Sequence, residues 1–174
     1  MLLSQQMRLW WLLALLLVAA FLPRPAAAGE WSVILNGKAI HLENPPGSNF
    51  NESNWGFGAQ YDFEPREGNW VPFAMASWFI DSNENPSYYA GGGIAKRFDF
   101  GPSKYGMHAD IGLVGFVMWR ENFRGDLPFL GALPVLTVGA GRVAVNLTYL
   151  PATEPKGVPI VFFQLKIGLG KTSG

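Results

Sequence analysis

The sequence predicts an all-β chain, an eight-stranded antiparallel barrel built to cross a membrane. Three observations predict it. An apolar leader marks the chain for export, the remainder carries no helical period, and eight strand-like segments are joined by connections of alternating length.

The leader starts with Arg8, runs through the apolar stretch Leu9–Leu22 and ends in PRPAAAGE. A basic start, an apolar middle and an Ala-x-Ala end describe a secretory signal peptide, with cleavage after Ala28. The run is shorter than the roughly 20 apolar residues of a spanning helix. The expected organisation is a signal peptide over 1–28 and one barrel domain over 29–174. Removing the leader takes Arg8 and Arg24 and no acid, so 13 basic residues become 11 against 13 acids, a charge of −2. That balance excludes the basic footprint of a nucleic-acid binder and a polybasic lipid anchor. The chain has 0 cysteines, so once exported it must hold together without disulfides.

The chain's 21 glycines and 13 prolines, all but Pro23 and Pro25 beyond the leader, punctuate an aromatic-rich sequence, which points to short strands. The strand-like segments are Trp31–Leu42, Trp55–Phe63, Phe73–Ile80, Tyr88–Phe98, Tyr105–Trp119, Leu133–Val138, Val143–Tyr149 and Val158–Ile167. Most approach the roughly 9–11 residues that a tilted strand needs to span a bilayer. Glu64–Asn69, Asp99–Lys104 and Gly139–Arg142 are short turns, whereas Glu43–Asn54, Asp81–Ser87, Arg120–Ala132 and Leu150–Gly157 are longer or less regular. Outer-membrane barrels have this asymmetry, with tight periplasmic turns and longer external loops. The pattern by itself fits a soluble β-barrel equally well.

Several segments, VPFAMASWFI, IGLVGFVMW and PIVFFQL, are apolar on both faces with small residues interspersed. Eight strands leave room inside for packed side chains or one small ligand, not a water channel. An apolar bore would accept a hydrocarbon chain, and a solid core is the plainer reading.

Strand order places the polar residues. With a periplasmic N-terminus, the odd-numbered strands run outward. His41 then lies near the top of the first, Asp81 and Ser82 cap the third, and Arg120 caps the fifth. A histidine, a carboxylate and a hydroxyl at one rim can perform acyl transfer. The imidazole accepts a proton from an attacking hydroxyl, and the carboxylate orients the ring. The serine serves as nucleophile or as donor to the oxyanion. Taken singly, these residues read as structural: DSNENPS is ordinary turn chemistry, and Arg120 reads as an interfacial ligand for lipid phosphate. His108 falls low on the fifth strand and reads as structural.

Other motifs fail. GAGRVA lacks the following helix that a dinucleotide fingerprint needs. Ser82 is in no G-x-S-x-G elbow. Two histidines without cysteine or H-E-x-x-H spacing argue against zinc, and no cofactor is called for. NES (Asn51–Ser53) and NLT (Asn146–Thr148) match the N-glycosylation pattern, which recurs by chance.

The segments NESNWGFG, EGNW…FAMASWFIDS and LPVLTVGAGRVAVNLTYLPAT, in this order, resemble the PagP family, the outer-membrane lipid A palmitoyltransferases of Gram-negative bacteria. The resemblance implies that the family's catalytic His falls on His41 and its catalytic pair on Asp81 and Ser82. It implies a phospholipid acyl donor and lipid A as acceptor. It further implies a glycine ruler for acyl length at Gly93 and a loop arginine at Arg120. The chain departs from the family where Asn36, Asn54 and Arg142 replace prolines that open gates between strands; Pro134 is retained. A closed barrel of this kind needs no protein partner and is expected to be a monomer. The rival readings are a passive outer-membrane or lipid-binding barrel, and a lipid A deacylase or phospholipase.

Overall fold

In the computed structural model, the described residues are 29–43, 45–47, 49–152 and 157–170, and the expected signal peptide lies outside them. Eight strands follow in order: β1 Glu30–His41, β2 Ser53–Asp62, β3 Trp70–Ile80, β4 Pro86–Phe100, β5 Met107–Arg120, β6 Phe129–Ala140, β7 Val143–Leu150 and β8 Ile160–Gly168. Each pairs antiparallel with the next, and β8 closes on β1. Closure satisfies the edge strands, which no open sheet of this size does.

The stagger of the barrel follows from its register. From Asn36, the ladder through β2, β3 and β4 leads to Arg120 on β5. The opposite path through β8, β7 and β6 leads to Asp110 on the same strand. The paths therefore arrive ten residues apart, from 110 to 120, a shear that tilts the strands and sets the bore width.

Alternation sorts the side chains. Leu113 and Leu130, 63% and 82% exposed, stand on an apolar outer surface that water would not favour. Trp55, Tyr88, Trp119 and Tyr149 ring that surface toward the end where β1 finishes, the upper end here. Trp31, Trp70, Phe98, Phe100 and Tyr105 ring it toward the other end. Two aromatic girdles around an apolar band are the exterior of a transmembrane barrel.

The interior corrects one expectation. The bore is not apolar throughout. Phe73, Ala95, Val114 and Val135 pack with Met75, Phe116 and Leu133 as an apolar core. At the lower end, however, Arg97 and Asp110 lie directly opposite across β4 and β5 and join by bonds of 2.8 and 2.7 Å. Lys166 pairs there with Asp62, and Asn146 links Thr137 to Gln60 across the lumen. Higher up, Asn36, Ser77, Tyr89 and Gln164 form a second polar tier, with Gln164 Nε2 donating to Asn36 Oδ1 at 2.6 Å and to the Tyr89 hydroxyl at 2.8 Å. Buried charges of this kind persist only when paired. The long apolar runs hid them because each run contributes only alternate residues to the lumen.

Strand six is longer than predicted. Gly131 falls in the expected Arg120–Ala132 loop, yet β6 extends from Phe129 and runs on through Pro134. Proline is tolerated because β6 has only β5 as neighbour at that height.

Candidate functional site

The three odd strands β1, β3 and β5 finish at the same upper rim, which brings His41, Asp81, Ser82 and Arg120 to the mouth of one cavity of about 540 Å³. His41 faces inward only because β1 is irregular. Ser32, Ile34 and Asn36 point into the bore, and strict alternation would send residue 41 outward. The register shifts between Asn36 and Ala39, leaving Gly37 and Lys38 both exposed, and the parity flips. A bulge of this sort re-aims every later side chain.

The His41 side chain is 2% exposed, and its ring stacks on Phe50 with centroids 4.1 Å apart and planes 7° from parallel. Its Nδ1 is buried without a hydrogen-bond partner. The carboxylate nearest to hand is Glu52, whose Oε1 lies 3.9 Å from Nδ1 while its Oε2 pairs with Lys38 at 3.3 Å. Glu52 is fixed to β1 by its carbonyl, which accepts the Ala39 N–H at 2.9 Å.

Asp81 is built differently from the expectation that it orients His41. Its Oδ1 accepts the backbone N–H groups of Asn83 at 2.8 Å and Asn85 at 3.0 Å, the side-chain turn favoured by this residue type. Its Oδ2 accepts Arg120 Nε at 2.9 Å and Nη2 at 2.7 Å, with the Ser87 hydroxyl at 3.4 Å. Asp81 is 3% exposed. Its partner is therefore Arg120, and Arg120, expected at a lipid phosphate, is paired to Asp81 and lies over the Phe123 ring at 4.9 Å.

Ser82 lines the cavity beside this pair, and its carbonyl accepts the Asn51 N–H at 2.9 Å. The segment Phe50–Asn51–Glu52 thus touches His41 on one side and the Ser82 turn on the other. The sequence marks Asn51 and Glu52 only as part of a motif; their role as a bridge depends on β1, β2 and β3 lying side by side.

Gly93 faces the bore in register with Phe73 and Val114. It does not line the cavity, because the Phe73 ring covers it: a Cβ at Gly93 would stand 2.5 Å from Phe73 Cζ and 2.2 Å from the Leu113 carbonyl. Phe73 is the side chain the cavity meets there. His108 lies at the lower end, with Nδ1 3.2 Å from the Gly106 carbonyl, away from the rim. Among the described residues no three His, Cys, Asp or Glu side chains gather as a metal site.

The cavity also opens sideways. The β6–β7 ladder ends at Val135↔Thr148, and above it Tyr149 and Leu150 pair with β8 only. Leu130 and Ala132 face outward by alternation yet line the cavity, so the bore reaches the exterior between these strands. At the prolines the chain lacks, Asn36 Nδ2 donates to Ser77 Oγ at 2.7 Å and Asn54 Nδ2 to the Ile80 carbonyl at 2.9 Å. Asn54 thus knits the adjacent strands β2 and β3, and Asn36 reaches from β1 past β2 to β3.

Residues 40–166 match the family described as antimicrobial peptide resistance and lipid A acylation protein PagP. The lipid A acyltransferase PagP of Methylobacillus flagellatus is 29% identical over 126 residues, which is 72% of this chain and 66% of that protein. That of Bordetella pertussis is 30% identical over 115 residues, 66% of this chain and 60% of the relative. The chain thus spans less than two thirds of the length of these curated relatives. Among solved structures, Ail, the attachment invasion locus protein of Yersinia pestis, in complex with the heparin analogue sucrose octasulfate, aligns at a TM-score of 0.44 and 10% identity, covering 82% of this chain and 97% of Ail.

Proposed function

The chain belongs to the PagP family of lipid A acylation proteins, and from that premise we propose that it is an acyltransferase of the Gram-negative outer membrane. It moves a palmitoyl-type acyl chain from a phospholipid to a hydroxyl of lipid A. The observation that carries this reading is that His41 and Ser82, remote in sequence, share the mouth of a cavity that is lined mainly by apolar side chains and open sideways between β6 and β7. A hydrocarbon chain entering through that side opening brings its ester to the rim.

The chemistry follows from the groups present. The acceptor hydroxyl attacks the ester carbonyl while the His41 imidazole takes its proton. The resulting oxyanion is stabilised by the Ser82 hydroxyl, or Ser82 attacks first and carries the acyl group as an ester. Collapse breaks the original ester C–O bond, and the leaving lysophospholipid oxygen takes the proton back from His41. Asp81 and Arg120 hold the turn that carries Ser82. Gly93 acts as the seat of Phe73, so the ring and the charged tier of Arg97, Asp110, Lys166 and Asp62 beneath it limit how deep an acyl chain reaches. The strand order closes on itself, β8 on β1, and needs no second chain to complete the sheet, which favours a monomer.

Lipid A mass spectrometry tests the reading in cells expressing the whole chain. One added acyl mass, lost with His41→Ala in a folded barrel, is the expected result. Loss of an acyl group indicates a deacylase, and no change indicates a passive barrel. Retained transfer in His41→Ala removes His41 from the mechanism.

A further inference from the structure

We propose that Glu52, not Asp81, is the carboxylate that positions the His41 imidazole. The inference rests on the reading of His41 as general base.

Asp81 has no capacity left for the task. A carboxylate offers about four lone-pair sites, and Asp81 already receives two backbone N–H groups, two Arg120 N–H groups and the Ser87 hydroxyl. Turning it toward His41 would strand Arg120 and dismantle the turn that carries Ser82.

His41 meanwhile has an unmet need. Nδ1 is buried and unpaired, the kind of group that native proteins rarely leave unsatisfied. Glu52 Oε1 is 3.9 Å away, about 1 Å beyond ordinary hydrogen-bond length. The Glu52 backbone is anchored to Ala39, two residues before His41, so a small side-chain rotation closes the gap without moving either strand. Phe50 fixes the plane of the ring meanwhile.

The consequence for catalysis is specific. With Nδ1–H donated to Glu52, the lone pair sits on Nε2, the nitrogen that must accept the substrate proton. The carboxylate then stabilises the imidazolium that forms. Lys38 holds the other carboxylate oxygen at 3.3 Å, leaving Oε1 free to face His41. The other charged side chains lining this end of the cavity are Asp81 and Arg120, which compensate each other, and Arg124, which lies over the Phe123 and Phe129 rings; β7 and β8 present Leu150 and Ile160.

Histidine NMR titration of the full chain in detergent tests the pairing without reference to activity. The chain has 2 histidines, so His41→Ala identifies the His41 signal. Removing a negative charge disfavours the imidazolium, so Glu52→Gln is expected to lower the His41 midpoint by about one pH unit. Glu52→Asp should retain most of the wild-type midpoint, and Asp81→Asn should leave it nearly unmoved. In acyl-transfer assays with a phosphatidylcholine donor and lipid A, the acidic limb of the Glu52→Gln profile moves down by the same amount. Its plateau falls about tenfold or more, within the range of a positioned acid–base group. A midpoint unchanged in Glu52→Gln, or one moved instead by Asp81→Asn, overturns the proposal. If His41→Ala retains transfer, the general-base reading fails, while the titration still reports on the Glu52 pairing.

Discussion

Asp81 and Arg120 meet through a single carboxylate oxygen, Oδ2, which accepts both Nε at 2.9 Å and Nη2 at 2.7 Å. Ser87, fully buried, stands between their strands in register with Phe79 on one side and Arg120 on the other. The pair thus ties the tip of β3 to the tip of β5 across β4.

Its removal should be asymmetric. Arg120→Ala leaves a 3%-exposed carboxylate without its cation and is expected to destabilise the barrel by about 3 kcal/mol. Asp81→Asn combined with Arg120→Met is expected to be less harmful than Arg120→Ala, because no charge is stranded. Chemical unfolding in detergent micelles measures both, and an additive double variant would show that the pair is uncoupled.

Ser82→Ala separates the two roles open to that hydroxyl. Loss of an oxyanion donor reduces turnover by about 10² to 10³. Loss of a nucleophile reduces it far more, on the order of 10⁶ in the serine-protease precedent. Intact-protein mass after mixing with donor alone checks the assignment, since only a nucleophile retains the acyl mass.

Gly93 is expected to resist substitution. Even alanine brings a Cβ to 2.2 Å from the Leu113 carbonyl, a backbone atom that cannot give way cheaply. Gly93→Ala and Gly93→Met should therefore lower stability and displace Phe73 together. Phe73→Ala removes the ring itself and should admit longer acyl chains, at about 3–5 kcal/mol of stability. A donor series of rising chain length reads the result; an unchanged optimum would place the stop elsewhere.

The side opening can be closed chemically, because the chain has 0 cysteines of its own. Leu133→Cys with Leu150→Cys extends the β6–β7 register by the next inward pair beyond Val135↔Thr148. Oxidation should draw the strands within about 7 Å and suppress transfer, with recovery on reduction. Full activity in the oxidised form would route the donor through another gap.

Much of this molecule is written locally. The aromatic-rich runs without a helical period, and the Gly- and Pro-rich turns between them, locate all eight strands, with most boundaries within three residues, since turn chemistry acts over a few neighbours. Strand direction then carries His41, Asp81, Ser82 and Arg120 to one rim, because antiparallel strands alternate. What lay beyond reach was decided by closure. The extra residue at Gly37–Lys38 turns His41 inward, and the ten-residue stagger sets Asn146 of β7 against Gln60 of β2. The choice of Arg120 for Asp81 arises only when β3 and β5 stand on either side of β4 at the rim. Those pairings depend on three-dimensional separation and competing hydrogen bonds, neither of which a linear pattern contains.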